Sequence, residues 1–128
     1  MDSKELAIEL ARALDAKKAV DIRVLKVEDL TSVTDYFVIA VGNSTTHVGA
    51  LADEAEYQLE QKGVSKLRVE GHDGNRWVLL DYGSVIVHVF THEAHDFYDL
   101  EHLWADAEPV ELADLLEEAD APLTGPEA

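Results

Sequence analysis

The stretch that most constrains this chain is residues 36–41 (YFVIAV), an unbroken apolar run of strand length that stops at Gly42-Asn43-Ser44. A strand apolar on both alternating faces belongs in the middle of a sheet that is covered on both sides. Directly after the turn, Val48, Leu51, Ala52, Ala55 and Leu59 recur at helical spacing until Gly63, which predicts a helix that ends at a glycine. The chain is therefore organised around a strand, turn, helix unit.

Other segments supply the rest of such a domain. Leu6, Leu10, Ala13 and Leu14 follow Asp2 and Glu5, an N-cap and its capping partner, and predict a helix over residues 3–18. Residues 20–27 (VDIRVLKV) alternate and are rich in β-branched side chains, so they read as a strand. Leu67 and Val69 alternate with Lys66 and Arg68 ahead of a turn containing Asp73-Gly74, which favours a hairpin. Residues 77–81 (WVLLD) and 84–90 (SVIVHVF) flank Tyr82-Gly83 as a second antiparallel pair. Thr91 caps a short helix running to about Tyr98, and Leu100, Leu103 and Trp104 form a last apolar cluster. At 128 residues one core is available. The expectation is a single small α/β domain over residues 1–104, with a mixed, roughly five-stranded sheet flanked by helices.

Residues 105–128 differ in character. They carry eight acids, no Lys or Arg, and all three prolines, Pro109, Pro122 and Pro126. Pro109 is expected at the first position of a marginal helix striped by Leu112, Leu115 and Leu116, with disorder from about Asp120.

Charge sorts the function classes. Ten Lys and Arg stand against 27 Asp and Glu, a net −17, and the last base is Arg76; from Trp77 onward there are 13 acids and none. Such a chain repels phosphate backbones and anionic membranes, so neither nucleic acid nor a membrane is expected as its main partner. The absence of cysteine removes disulfides and thiolate chemistry and suits a reducing compartment, and the Met1 start lacks the basic-then-apolar order of a signal peptide. The cytoplasm is the expected location.

Candidate chemistry is sparse. Gly42-Asn43-Ser44, where a strand feeds a helix, can hold an anion on free N–H groups, but it serves equally as a tight turn with a cap. There is no Walker motif, no G-x-G-x-x-G and no paired strand carboxylate for two-cation chemistry. His88, His92, His95 and His102 lie close in sequence yet follow no metal-ligand pattern. His88 reads as a hydrogen-bonded strand histidine and the others as solvated. No cofactor, metal or catalytic residue is expected. Trp77, Tyr98 and Trp104, beside Leu100, Leu103, Asp81, Asp99 and Glu101, have the composition of a protein-binding hot spot for a basic partner, or of aromatics closing a core.

As a group, Asp35-Tyr36-Phe37-Val38-Ile39 with Gly42-Asn43-Ser44 and Ala52, then Trp77 with Asp81, Gly83, Val87 and His88, then Tyr98-x-Leu100-Glu101-x-Leu103-Trp104 resemble the ribosomal silencing factors, also called Iojap-like proteins. The resemblance covers about residues 3 to 104. It implies a nucleotidyltransferase-like fold without the catalytic carboxylates and a non-enzymatic role. That role is docking on a basic protein of the large ribosomal subunit, number fourteen in its series. Docking blocks joining of the small subunit and represses translation under nutrient limitation. The partner-binding residues so implied are Trp77, Asp81, Tyr98, Leu100, Glu101 and Trp104. An exposed docking patch also permits a homodimer when the protein is free. The competing reading is a nucleotide-binding or nucleotidyltransferase-type enzyme using the Gly42-Asn43-Ser44 turn, and the missing carboxylate pair counts against it.

Overall fold

A computed structural model describes residues 1–110 of the chain. In chain order its elements are α1 (Ser3–Ala16), β1 (Asp21–Lys26), β2 (Tyr36–Gly42), α2 (Thr45–Gln61), β3 (Arg68–Glu70), β4 (Trp77–Asp81), β5 (Val85–Thr91), α3 (His92–Tyr98), α4 (Leu100–Leu103) and β6 (Glu108–Val110). Asp2 and Thr91 cap as the sequence signals, and of Asn43 and Ser44 it is Ser44 that caps α2. Asp2 accepts a hydrogen bond from the Glu5 N–H, Ser44 from the His47 N–H and Thr91 from the Ala94 N–H, satisfying donors that a helix start leaves open.

One mixed sheet runs in the order β3-β4-β5-β2-β1-β6. Every neighbouring pair is antiparallel except β2 and β5, which are parallel with Val38 opposite Val87. As the apolar run demands, β2 is central and all seven of its residues are buried. Its pleat divides the interior in two. Val38 and Ala40 face α1 and α2 in an aliphatic core with Leu10, Leu14, Leu51 and Leu59. Phe37 and Ile39 face the opposite side, with Phe90, Ile86 and Leu100. Gly42 ends β2 where a Cβ would lie 3.0 Å from Val48 Cγ2 and 3.1 Å from the Val48 nitrogen, so the close seating of α2 requires the missing side chain.

The sheet has six strands, one more than expected, and the extra one corrects the reading of Pro109. Instead of opening a helix, Pro109 lies in β6, opposite Leu25 on the outer side of β1. An edge strand tolerates proline because one side of its backbone has no partner to bond. Ala107 is buried and Val110 packs against the aliphatic core, and that burial favours the strand. The remainder of the expected helix and the expected disorder fall on residues 111–128, outside the described residues. No helix among the described residues is long and apolar enough to cross a membrane.

Candidate functional site

On the second sheet face, aromatic rings replace aliphatic side chains. Trp77 opens β4 opposite Phe90 of β5, their rings 5.0 Å apart. Tyr98, at the end of α3, places its ring 4.5 Å from that of Trp77, and Trp104 meets Phe37 edge-on at 5.0 Å. His88 lies among them, with Phe37 edge-on at 5.1 Å. The Trp77 indole Nε1–H donates to His88 Nδ1 at 3.0 Å. Because an indole nitrogen only donates, the His88 proton sits on Nε2. Burial pushes the His88 pKa down from 6.5 to about 4, since a charged imidazole would lack solvation there.

The short helices carry this cluster to the surface. Asp99 adopts a left-handed conformation (φ 47°, ψ 53°) between α3 and α4, a turn that aspartate tolerates better than most residues. Across it, His95 Nε2 lies 2.9 and 3.0 Å from the two Glu101 carboxylate oxygens, while the His95 ring packs 5.8 Å from Phe90. His95 is therefore a bridge between the two helices and not a solvated position. The histidines do not converge: His88 serves Trp77, His95 serves Glu101, and His102 lies 3.6 Å from Asp99.

Of the six sequence-predicted residues, Trp77 and Tyr98 meet at the Phe90 end of the sheet, while Trp104 packs on Phe37, in the cross-strand row of Ile86 that also holds Asp81. Leu100 is buried, Trp104 and Trp77 are half-buried, Glu101 is tied to His95, and Tyr98 is 45% exposed. Asp81 stands apart from Trp77 and Tyr98. It ends β4 on the same face as Trp77 but four residues on, roughly 13 Å away at strand rise. There it accepts from the Gly83 N–H at 2.8 Å and pairs with Arg68 at 3.3 Å. One surface residue escaped the sequence reading, Phe97, 80% exposed, and Leu103, noted there as part of the apolar cluster, is 74% exposed. The available signal was adjacency, because a seven-residue helix cannot bury both Phe97 and Tyr98. Glu93, Asp96, Asp99, Glu101 and Asp106 lie in the same stretch of sequence as these apolar tips, and no Lys or Arg follows Arg76.

The turn after β2 is already engaged. The Asn43 N–H donates to His47 Nδ1 at 2.9 Å, the His47 N–H to Ser44 Oγ at 3.1 Å, and the Val48 N–H to the Ser44 carbonyl. His47 Nε2 then reaches the Lys17 carbonyl at 2.8 Å, latching α1 to α2. These bonds make the turn a capped helix start, with part of its donor set consumed.

Fold and site define a class: a small mixed α/β domain with one aliphatic, helix-covered sheet face and one aromatic face rimmed by carboxylates. Comparison with known proteins then places it. Residues 1–127 match the family model described as "Ribosomal silencing factor during starvation". A ribosomal silencing factor of Bacillus subtilis is 44% identical over 115 residues, 90% of this chain and 95% of that protein. A crystal structure from Chromobacterium violaceum superposes with a TM-score of 0.80 at 37% identity, covering 82% of this chain and 88% of that one. A mouse protein named "Mitochondrial assembly of ribosomal large subunit protein 1" is 34% identical over 98 residues, 74% of this chain and 43% of that protein. The chain belongs to the ribosomal silencing factor family.

Proposed function

We propose that this protein silences ribosomes by docking its aromatic face on a basic protein of the large subunit, number fourteen in that series, so that the small subunit cannot join. The observation that carries the reading is the surface of α3 and α4. Phe97, Tyr98 and Leu103 stand out of the fold among carboxylates, in a stretch with no compensating cation. Apolar anchors at the centre and charge at the rim give affinity and orientation respectively. The name of the mouse relative, which refers to the large ribosomal subunit, supports that choice of subunit.

Roles divide by exposure. Tyr98, with Phe97 and Leu103, makes the contact. Trp77, Leu100 and Trp104 form the bed beneath it, and Glu101, held by His95, faces the basic partner at the rim. Asp81 secures the β4–β5 turn and touches only a partner that extends along the whole strand. A domain set on the joining face excludes the small subunit by bulk, without chemistry. In the ribosome-free cytoplasm the same patch is open to a second copy, and a homodimer competes with docking.

Sedimentation of purified subunits tests this. Added protein is expected to travel with large subunits and to reduce the joined particle. Full joining in the presence of excess folded protein would overturn the reading.

A further inference from the structure

We propose that the groove at the carboxyl ends of β2 and β5 binds a nucleoside 5′-monophosphate, an inference that does not require ribosome docking although Phe97 and Tyr98 belong to both surfaces. The two strands are parallel neighbours, yet the helices that follow them leave toward opposite faces. The α2 helix covers the Val38 and Ala40 side, and α3, through Ala94, covers the Phe37 and Phe90 side. In an open α/β sheet such a divergence leaves a crevice outside the strand ends, and ligands bind there. Here the crevice is a groove of about 720 Å³, within the size range of small-molecule sites.

Its lining has the two halves a nucleotide needs. Trp77, Phe97 and Tyr98 form an aromatic wall, on which a base stacks by its π-face. Arg76 is the only Lys or Arg in the lining, and it forms no ion pair with any described residue. Its planar fork of donors fits a phosphate in two-point contact. Thr91 Oγ accepts from the Ala94 N–H, which leaves the hydroxyl proton free to donate to the ligand. The α2 start is not what holds the anion, because its turn is already bonded to His47.

One cation sets the ligand's charge. With a net −17 on the chain and a single arginine in the groove, a monophosphate is matched and a polyphosphate is not. Glu93 is the only carboxylate in the lining. A lone carboxylate can accept from a base's amino group but cannot hold two cations for phosphoryl chemistry. The groove binds its ligand and leaves it unchanged.

Calorimetric titration of AMP and GMP into the full-length protein tests the proposal. Saturable one-to-one binding is expected for one or both, with adenosine and inorganic phosphate each at least tenfold weaker. Arg76→Gln is expected to weaken binding at least tenfold. Phe97→Ala, at a site too exposed to unfold the protein, is expected to weaken it at least threefold. No saturable heat at millimolar AMP and GMP would overturn the proposal, as would an Arg76→Gln variant with the wild-type melting temperature that titrates like wild type. Neither result bears on ribosome docking, which is read by sedimentation.

Discussion

The Trp77 indole and the His88 imidazole are locked together by one hydrogen bond of 3.0 Å, from Nε1–H to Nδ1, and the lock closes only while His88 is neutral. Protonation would set an N–H against an N–H. With the folded pKa near 4 and an ordinary value of 6.5, the unfolded chain takes up a proton first as pH falls. Stability from this group is complete above about pH 6.5 and drains away down to about pH 4, a loss of about 3 kcal/mol at 1.36 kcal/mol per pH unit. Urea unfolding across that range is expected to show the slope, and His88→Leu to flatten it. At neutral pH the same variant leaves the indole N–H without an acceptor, a cost of about 1–3 kcal/mol. An unchanged acid slope in His88→Leu would remove His88 from this role.

Gly71 is fixed by the backbone of Trp77. Its φ is +82°, and a Cβ would sit 2.0 Å from the Trp77 carbonyl oxygen. Gly71→Ala is expected to destabilise by about 3 kcal/mol or more, since strain and overlap add. The control is Gly74→Ala, where a Cβ would meet nothing within 4 Å; its midpoint is expected within about 0.5 kcal/mol of wild type. Equal midpoints for the two variants would contradict the geometry.

Contact residues and bed residues should separate experimentally. Phe97→Ala and Leu103→Ala remove tips that are 80% and 74% exposed, so their melting temperatures are expected to stay near wild type. If they anchor docking, each lowers affinity for large subunits about tenfold, the size of a hot-spot effect of roughly 1.4 kcal/mol. Trp104→Ala is expected to cost stability first, through its contact with Phe37. Undiminished cosedimentation of the Phe97→Ala, Leu103→Ala double variant would move the docking site elsewhere.

The acidic end of the chain has two parts that truncation can tell apart. A stop after Val110 retains β6 and every described element. A stop after Trp104 deletes β6 with buried Ala107 and is expected to lower the urea midpoint measurably. If anti-association strength and its salt dependence survive the first truncation, the tail's charge plays no part in silencing.

Much of the fold was legible because the signals were local. The apolar run of β2, the Asp2, Ser44 and Thr91 caps and the two hairpins each declare themselves within a few residues. β6 did not, because its three residues Glu108, Pro109 and Val110 carry no strand periodicity and gain their place by packing beside β1. At the site, the Trp77, Tyr98 and Trp104 cluster was readable from residue type. The separation of Asp81 was not, since it depends on the direction in which β4 runs from Trp77. The His95–Glu101 bridge was hidden too, because it requires the left-handed turn at Asp99. Phe97 and Arg76 acquire meaning only once β2 and β5 lie side by side.

The pleat of β2 also has an evolutionary consequence. Val38 and Ala40 serve one side while Phe37 and Ile39 serve the other, so odd and even positions of a single strand answer to different neighbours. Packing limits substitution among the aliphatic residues under α1 and α2 and equally at buried Phe37 and Phe90, whereas the exposed tips Phe97 and Leu103 are limited by what they touch. A lineage could therefore retune its target through Phe97, Tyr98 and Leu103 and inherit the scaffold intact.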